Sequence, residues 1–145
     1  MKEHYRLLVA KIFIVFCVVV SCTLSYCQAA QWEWVTSTDR VTIEIDTSSV
    51  KMVDYLLSGR NLICWYKFTN LDKSYAILHH AFRVKNHNME SAVFETYTYD
   101  ADGKATDYYG HTEPHDYEFK SIIPDSVGEY LFIKAYTYWK ENGGV

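Results

Sequence analysis

The stretch Ser91-Ala92-Val93-Phe94-Glu95-Thr96-Tyr97-Thr98-Tyr99-Asp100-Ala101-Asp102-Gly103-Lys104 decides the fold. Val93, Glu95, Tyr97 and Tyr99 alternate with Phe94, Thr96 and Thr98, the period of two that sends successive side chains to opposite faces of a strand. Asp100 to Gly103 then supplies a hairpin loop, because Gly103 tolerates the positive φ that a short reversal demands. The chain therefore returns antiparallel through Lys104 to Tyr109.

Working outward, the same pattern recurs. Ser74 to Val84 reads as a strand joined to Ser91–Tyr99 by the polar Lys85-Asn86-His87-Asn88. Asn70-Leu71-Asp72-Lys73 turns the chain out of a further strand, Leu62 to Thr69. Trp32-Glu33-Trp34-Val35 and Val41 to Asp46 alternate as a hairpin around Ser37 to Arg40. Asp46 to Val50 carries turn and cap chemistry, and Ser58-Gly59-Arg60-Asn61 forms another break. Downstream, Pro124 ends an apolar strand candidate.

The final segment changes character. Ser126-Val127-Gly128-Glu129 has capping-box spacing, Val127, Leu131, Ala135 and Tyr138 recur at helical steps, and Gly143 stands where a helix ends. Tyr130 to Trp139 is rich in aromatic and β-branched residues that also suit a strand, and Gly128 costs about 1 kcal/mol in a helix interior, but the caps favour helix. The expected fold class is α+β, with a single antiparallel β-sheet of about six strands packed against one C-terminal α-helix.

The beginning of the chain reads as an export signal over residues 1–29. Lys2, Arg6 and Lys11 form a basic start, Ile12 to Val20 an apolar run, and Ser21 to Ala29 a more polar end. The run is too short to span a hydrocarbon core of about 30 Å. Cys27 and Ala29 suit the small-residue positions of a cleavage site, giving a mature chain from Ala30. The alternative is Val19-Val20-Ser21-Cys22, which resembles a lipobox in which Cys22 is lipidated and anchors the domain to a membrane. Either way the domain, residues 30–145, is expected outside the cytoplasm, at the cell surface, in the periplasm or on the outer membrane.

Removing Lys2, Arg6, Lys11 and Glu3 from 14 basic and 18 acidic residues leaves 11 against 17, a net charge of −6. A domain of that sign lacks long-range attraction for polyphosphate, so a nucleic-acid partner is not expected. Cys64 is the one cysteine beyond the leader, and it reads as a small buried hydrophobe; an exposed thiol in an oxidising compartment instead permits an intermolecular disulfide.

Motifs for chemistry are sparse. His111-Thr112-Glu113-Pro114-His115-Asp116 holds ligand types for zinc, with His111 and His115 the candidate metal residues, but Pro114 breaks any helix that stacks them, and a solvated loop is expected. His79 and His80 point to opposite faces of a strand, so at most one enters the core. Asp100 to Gly103 lacks the twelfth-position glutamate of a calcium loop, since His111 stands there. No G-x-S-x-G or phosphate loop is present, no cofactor is expected, and the chain reads as a non-enzyme. The tyrosines and tryptophans serve either cross-strand packing or a binding surface.

Trp34 before Asp46-Thr47-Ser48, then Cys64-Trp65-Tyr66-Lys67-Phe68, Tyr99 to Lys104 and Ile123 to Glu129, together behind an export signal, resemble the surface-adhesin protein E family of bacterial envelopes. The resemblance covers nearly all of the mature chain and rests on turns and caps. It implies a sheet packed on a C-terminal helix and an adhesin-like protein that binds host extracellular matrix (vitronectin, laminin), forms a homodimer and is linked to hemin. The family's basic host-binding segment has no counterpart in this acidic domain, so no binding residue is carried over. A protein partner is the leading expectation; a hemin or zinc carrier using surface histidines, and a structural subunit of an envelope assembly, are the alternatives.

Overall fold

The computed structural model describes residues 29–144. Residues 1–28, and with them Cys22 and the lipidation reading, lie outside them, and Ala29 opens the described chain. Seven strands form one antiparallel sheet: β1 (Trp32–Ser37), β2 (Val41–Tyr55), β3 (Gly59–Asn70), β4 (Tyr75–Lys85), β5 (Asn88–Tyr99), β6 (Ala105–Gly110) and the two-residue β7 (Lys120–Ser121). The first six follow one another across the sheet as a meander, and β7 pairs beside β6 on β5. A single α-helix among the described residues, α1 (Val127–Glu141), closes the described chain. The α+β expectation holds, with β7 as the added strand.

The apolar period explains which face the helix covers. Ile43 and Ile45 of β2, Leu62, Cys64 and Tyr66 of β3, and Phe82 of β4 stand on one side, against Leu131 and Ala135 of α1. Val127, expected at this interface, is 44 % exposed instead, and Phe132 and Trp139 pack there. Tyr66 reaches furthest, its hydroxyl donating to the Leu131 carbonyl at 2.6 Å. At the helix start Ser126 Oγ accepts from the Glu129 N–H, while the Glu129 carboxylate accepts from Asp125 rather than from Ser126. The capping box is thus displaced by one residue at its return bond, where Asp125 takes φ 61°.

Two of the sheet's four register shifts bear most on the reading of strands as even alternations. Asp46 to Val50 does not end a strand: Asp46 pairs with Trp65 and Lys51 with Ile63, so four residues of β2 face one of β3. Hydroxyls replace the lost ladder bonds. Ser49 Oγ accepts the Trp65 N–H at 2.9 Å and donates to the Asp46 carbonyl at 2.6 Å. Turn-forming residues here make a bulge because side-chain oxygens compete locally with the ladder. In β5, Glu95 pairs with His79 but Val93 with His80, leaving Phe94 as the extra residue. Phe94 therefore joins Ile63 and Ala81 in a second cluster on the helix-free face.

The helix-free face is divided. One half is sealed by residues 111–121, where Phe119 packs on that second cluster and Pro114 is fully buried. Arg83 clamps the segment, its guanidinium lying 3.8 Å from the Phe119 ring centroid and bonding Glu90 and Asp116. The other half is open.

Candidate binding face of the sheet

Register places a row of aromatic and charged side chains across the open half. Trp32, Asp46, Trp65, His79 and Glu95 are successive cross-strand partners from β1 to β5. The adjacent row runs Glu44, Lys67, Ile77, Tyr97 and Tyr108. Cross-strand neighbours on one face lie within side-chain reach, so the rings stack: Tyr75 on Tyr99 at 4.6 Å, Tyr97 against Tyr108 at 4.6 Å and Trp65 on His79 at 4.1 Å. Lys67 Nζ is 3.1 Å from Glu44 and lies over the rings of Trp32 and Tyr75 at 5.8 and 5.5 Å. Between Trp32, Trp65, Ile77, Tyr97 and Tyr99 is an open groove of about 270 Å³, with Asp46 and Ala30 also in its lining.

His79 is held between Trp65 and Phe94, the latter at 4.2 Å, and its Nδ1 lies 2.8 Å from Glu95 Oε2. Burial lowers its pKa and the Glu95 carboxylate opposes that, the net direction being downward. Burial raises the pKa of Tyr97, with the nearby Glu95 charge adding to the effect. Gly110, opposite Glu95, leaves no room for a side chain: a Cβ there meets Glu95 Cγ at 2.9 Å and the Phe94 carbonyl at 3.1 Å. Gly110→Ala is expected to displace Glu95 and lower the His79 pKa further, read from the pH dependence of its ring proton resonances. An unchanged His79 titration refutes this reading.

The histidines divide by face as expected. His80 is the core member, packed among Tyr66, Phe68 and Phe82, with neither ring nitrogen hydrogen-bonded among the described residues. Burial pushes its pKa down to about 4. His87 is exposed in the β4–β5 turn at φ 67°, following Asn86 at φ 51°. His111 and His115 lie in an irregular segment, as expected of a loop, but partly rather than fully exposed on either side of buried Pro114, their rings 4.8 Å apart. His111 Nε2 is 2.9 Å from the Glu118 carboxylate, which also accepts the His115 N–H. Among the described residues no group of three or more His, Cys, Asp or Glu side chains is arranged to hold a metal.

Cys64 is wholly buried beneath the helix, and burial pushes its thiol pKa up, so it serves neither as a thiolate nor as a surface disulfide partner. Asp100 Oδ1 accepts the Asp102 and Lys104 N–H groups, the bonds of a hairpin turn. The aromatic row and its Asp46 were not singled out by motif. Their signal was Glu44 and Asp46 alternating with Ile43 and Ile45, but only the register brings Trp32, Trp65 and Tyr97 together.

Comparison with family models, with curated proteins and with solved structures finds no match to this chain.

Proposed function

We propose that this protein is an exported, non-catalytic interaction domain, adhesin-like, that grips a protein partner on the open aromatic half of its sheet. Its setting is the bacterial envelope, and host extracellular matrix is the partner class that the adhesin resemblance suggests. The observation carrying the reading is the uneven coverage of the helix-free face. Residues 111–121 seal one half, while the half bearing Trp32, Trp65, Tyr97 and Tyr99 retains a groove. Rigid aromatic side chains supply contact area at small entropic cost, and such residues dominate binding energy at interfaces.

Crosslinking on intact cells tests it. A partner is expected to be captured, and Trp32→Ala or Tyr97→Ala is expected to weaken capture by about thirtyfold, the effect of losing an interface anchor worth about 2 kcal/mol. Both residues are partly buried, so a melting curve of each variant separates loss of capture from loss of fold. No captured partner, together with unchanged adherence after deletion of the protein, overturns the proposal.

A further inference from the structure

We infer that the groove beside Asp46 receives the ammonium group of a lysine side chain presented by the protein partner, an inference that rests on the reading of this face as the binding surface. Asp46 is 7 % exposed, yet its carboxylate is only half used. Oδ1 accepts the Gln31 N–H at 2.9 Å, the Ser48 N–H at 3.1 Å and the Ser48 hydroxyl at 2.6 Å. Oδ2 has no hydrogen-bond partner among the described residues. It is not among the fully enclosed unpaired side-chain atoms, so it stays within reach of a donor, and a cation that brings N–H groups complements its charge.

The walls reinforce the choice of a cation. Trp32, Trp65, Tyr97 and Tyr99 line the groove with the carboxylate, and indole and phenol faces attract a cation within about 6 Å of the ring centroid. Lys67 already displays this chemistry in the next row, salt-bridged to Glu44 while lying over Trp32 and Tyr75. Its ammonium is committed there. The charge of residues 30–145, −6, steers a basic surface toward the domain.

The free oxygen also selects among cations. A quaternary ammonium has no N–H for Oδ2. An arginine fork is best matched by both oxygens of a carboxylate, and Oδ1 already carries three hydrogen bonds. A lysine ammonium is a point charge with rotatable N–H donors, suited to a single oxygen. The groove's volume of about 270 Å³ fits one side chain, falling below the ~300–1,000 Å³ of pockets that enclose a drug-sized ligand.

The test titrates protein purified from expression of the whole sequence with the peptide acetyl-Gly-Lys-Gly-amide, following tryptophan fluorescence. The uncharged norleucine analogue is the control. Saturable binding of the lysine peptide is expected, with the norleucine peptide at least about tenfold weaker, as for loss of a hydrogen-bonded charge. Asp46→Asn keeps an acceptor for Gln31 and Ser48 but places an amide N–H₂ at the Oδ2 position. It is expected to weaken lysine binding at least about tenfold. Tyr99→Leu, which touches no bond of Asp46, is expected to reduce the preference for lysine over norleucine even if Asp46→Asn perturbs folding.

Equal binding of the two peptides, tetramethylammonium binding as tightly as the lysine peptide, or no fluorescence change each overturns the inference. In the cell-capture assay, a partner lost with Trp32→Ala but indifferent to Asp46→Asn also overturns the lysine assignment, while leaving the face as the binding surface. Failure to capture any partner instead removes the reading beneath it.

Discussion

Tyr66→Ala is expected to cost about 3–5 kcal/mol, the range for truncating a large aromatic side chain in a core. Tyr66 has no exposed surface and packs edge-on to Phe82 and His80, with ring centroids 6.3 and 5.3 Å away. Removing it empties space between β3 and α1 and deletes the hydroxyl bond to Leu131. Domains of this kind are stable by only about 5–15 kcal/mol, so most of the margin is at risk. Tyr66→Phe should cost about 1 kcal/mol, because the Leu131 carbonyl still lies within the helix ladder where the Ala135 N–H can reach it. Urea unfolding of the two variants separates ring from hydroxyl. Equal losses in both refute the assignment of most of the energy to ring packing.

The second large effect is acid sensitivity centred on His80. An imidazole has a pKa near 6.5 in an unfolded chain, and burial lowers this one to about 4 in the fold. Between those values the unfolded state binds the proton and the folded state does not. Stability is therefore complete above about pH 6.5, falls as the pH drops, and is lower by about 3 kcal/mol at pH 4, levelling off below it. The downward shift of His79 acts with the same sign. His80→Phe removes the titrating group and two unpaired polar atoms, among rings of similar shape. It is expected to raise stability at pH 7 by about 1–3 kcal/mol and to flatten the acid limb. A variant whose urea midpoint declines between pH 7 and 4 as steeply as that of the parent assigns the acid sensitivity to other groups.

Much of this architecture is legible in the chain because its signals are local. Gly103 makes its turn at φ 80°, the Asn70 to Lys73 turn separates β3 from β4, and Ser126 and Glu129 start the helix where cap chemistry places it. The bulges at Asp46–Val50 and at Phe94 are not legible. Asp46 to Ser49 carry the same residue types whether they reverse a chain or widen one strand, and the outcome depends on Trp65 from another strand. Phe94 changes face for a similar reason. The candidate site shares this difficulty: Trp32 and Tyr97 are far apart in sequence and meet through three intervening strands, a relation no spacing motif encodes. The partly buried position of His111 likewise depends on Phe94, whose carbonyl accepts the His111 N–H at 3.0 Å.

The meander also governs how the domain comes into being. Each of the first six strands finds its partner in the segment just before or after it, so the sheet can grow as a chain lengthens from its N-terminus. The helix is the exception, since residues 127–141 close over β2 and β3, made long before. Until that last segment is delivered, Leu62, Cys64 and Tyr66 face water as a greasy, uncapped surface. A nascent or truncated chain lacking residues 127–141 is thus a sheet without its lid, most vulnerable to sticking to its own kind at the moment when nearly all of its hydrogen-bonded ladder is already in place.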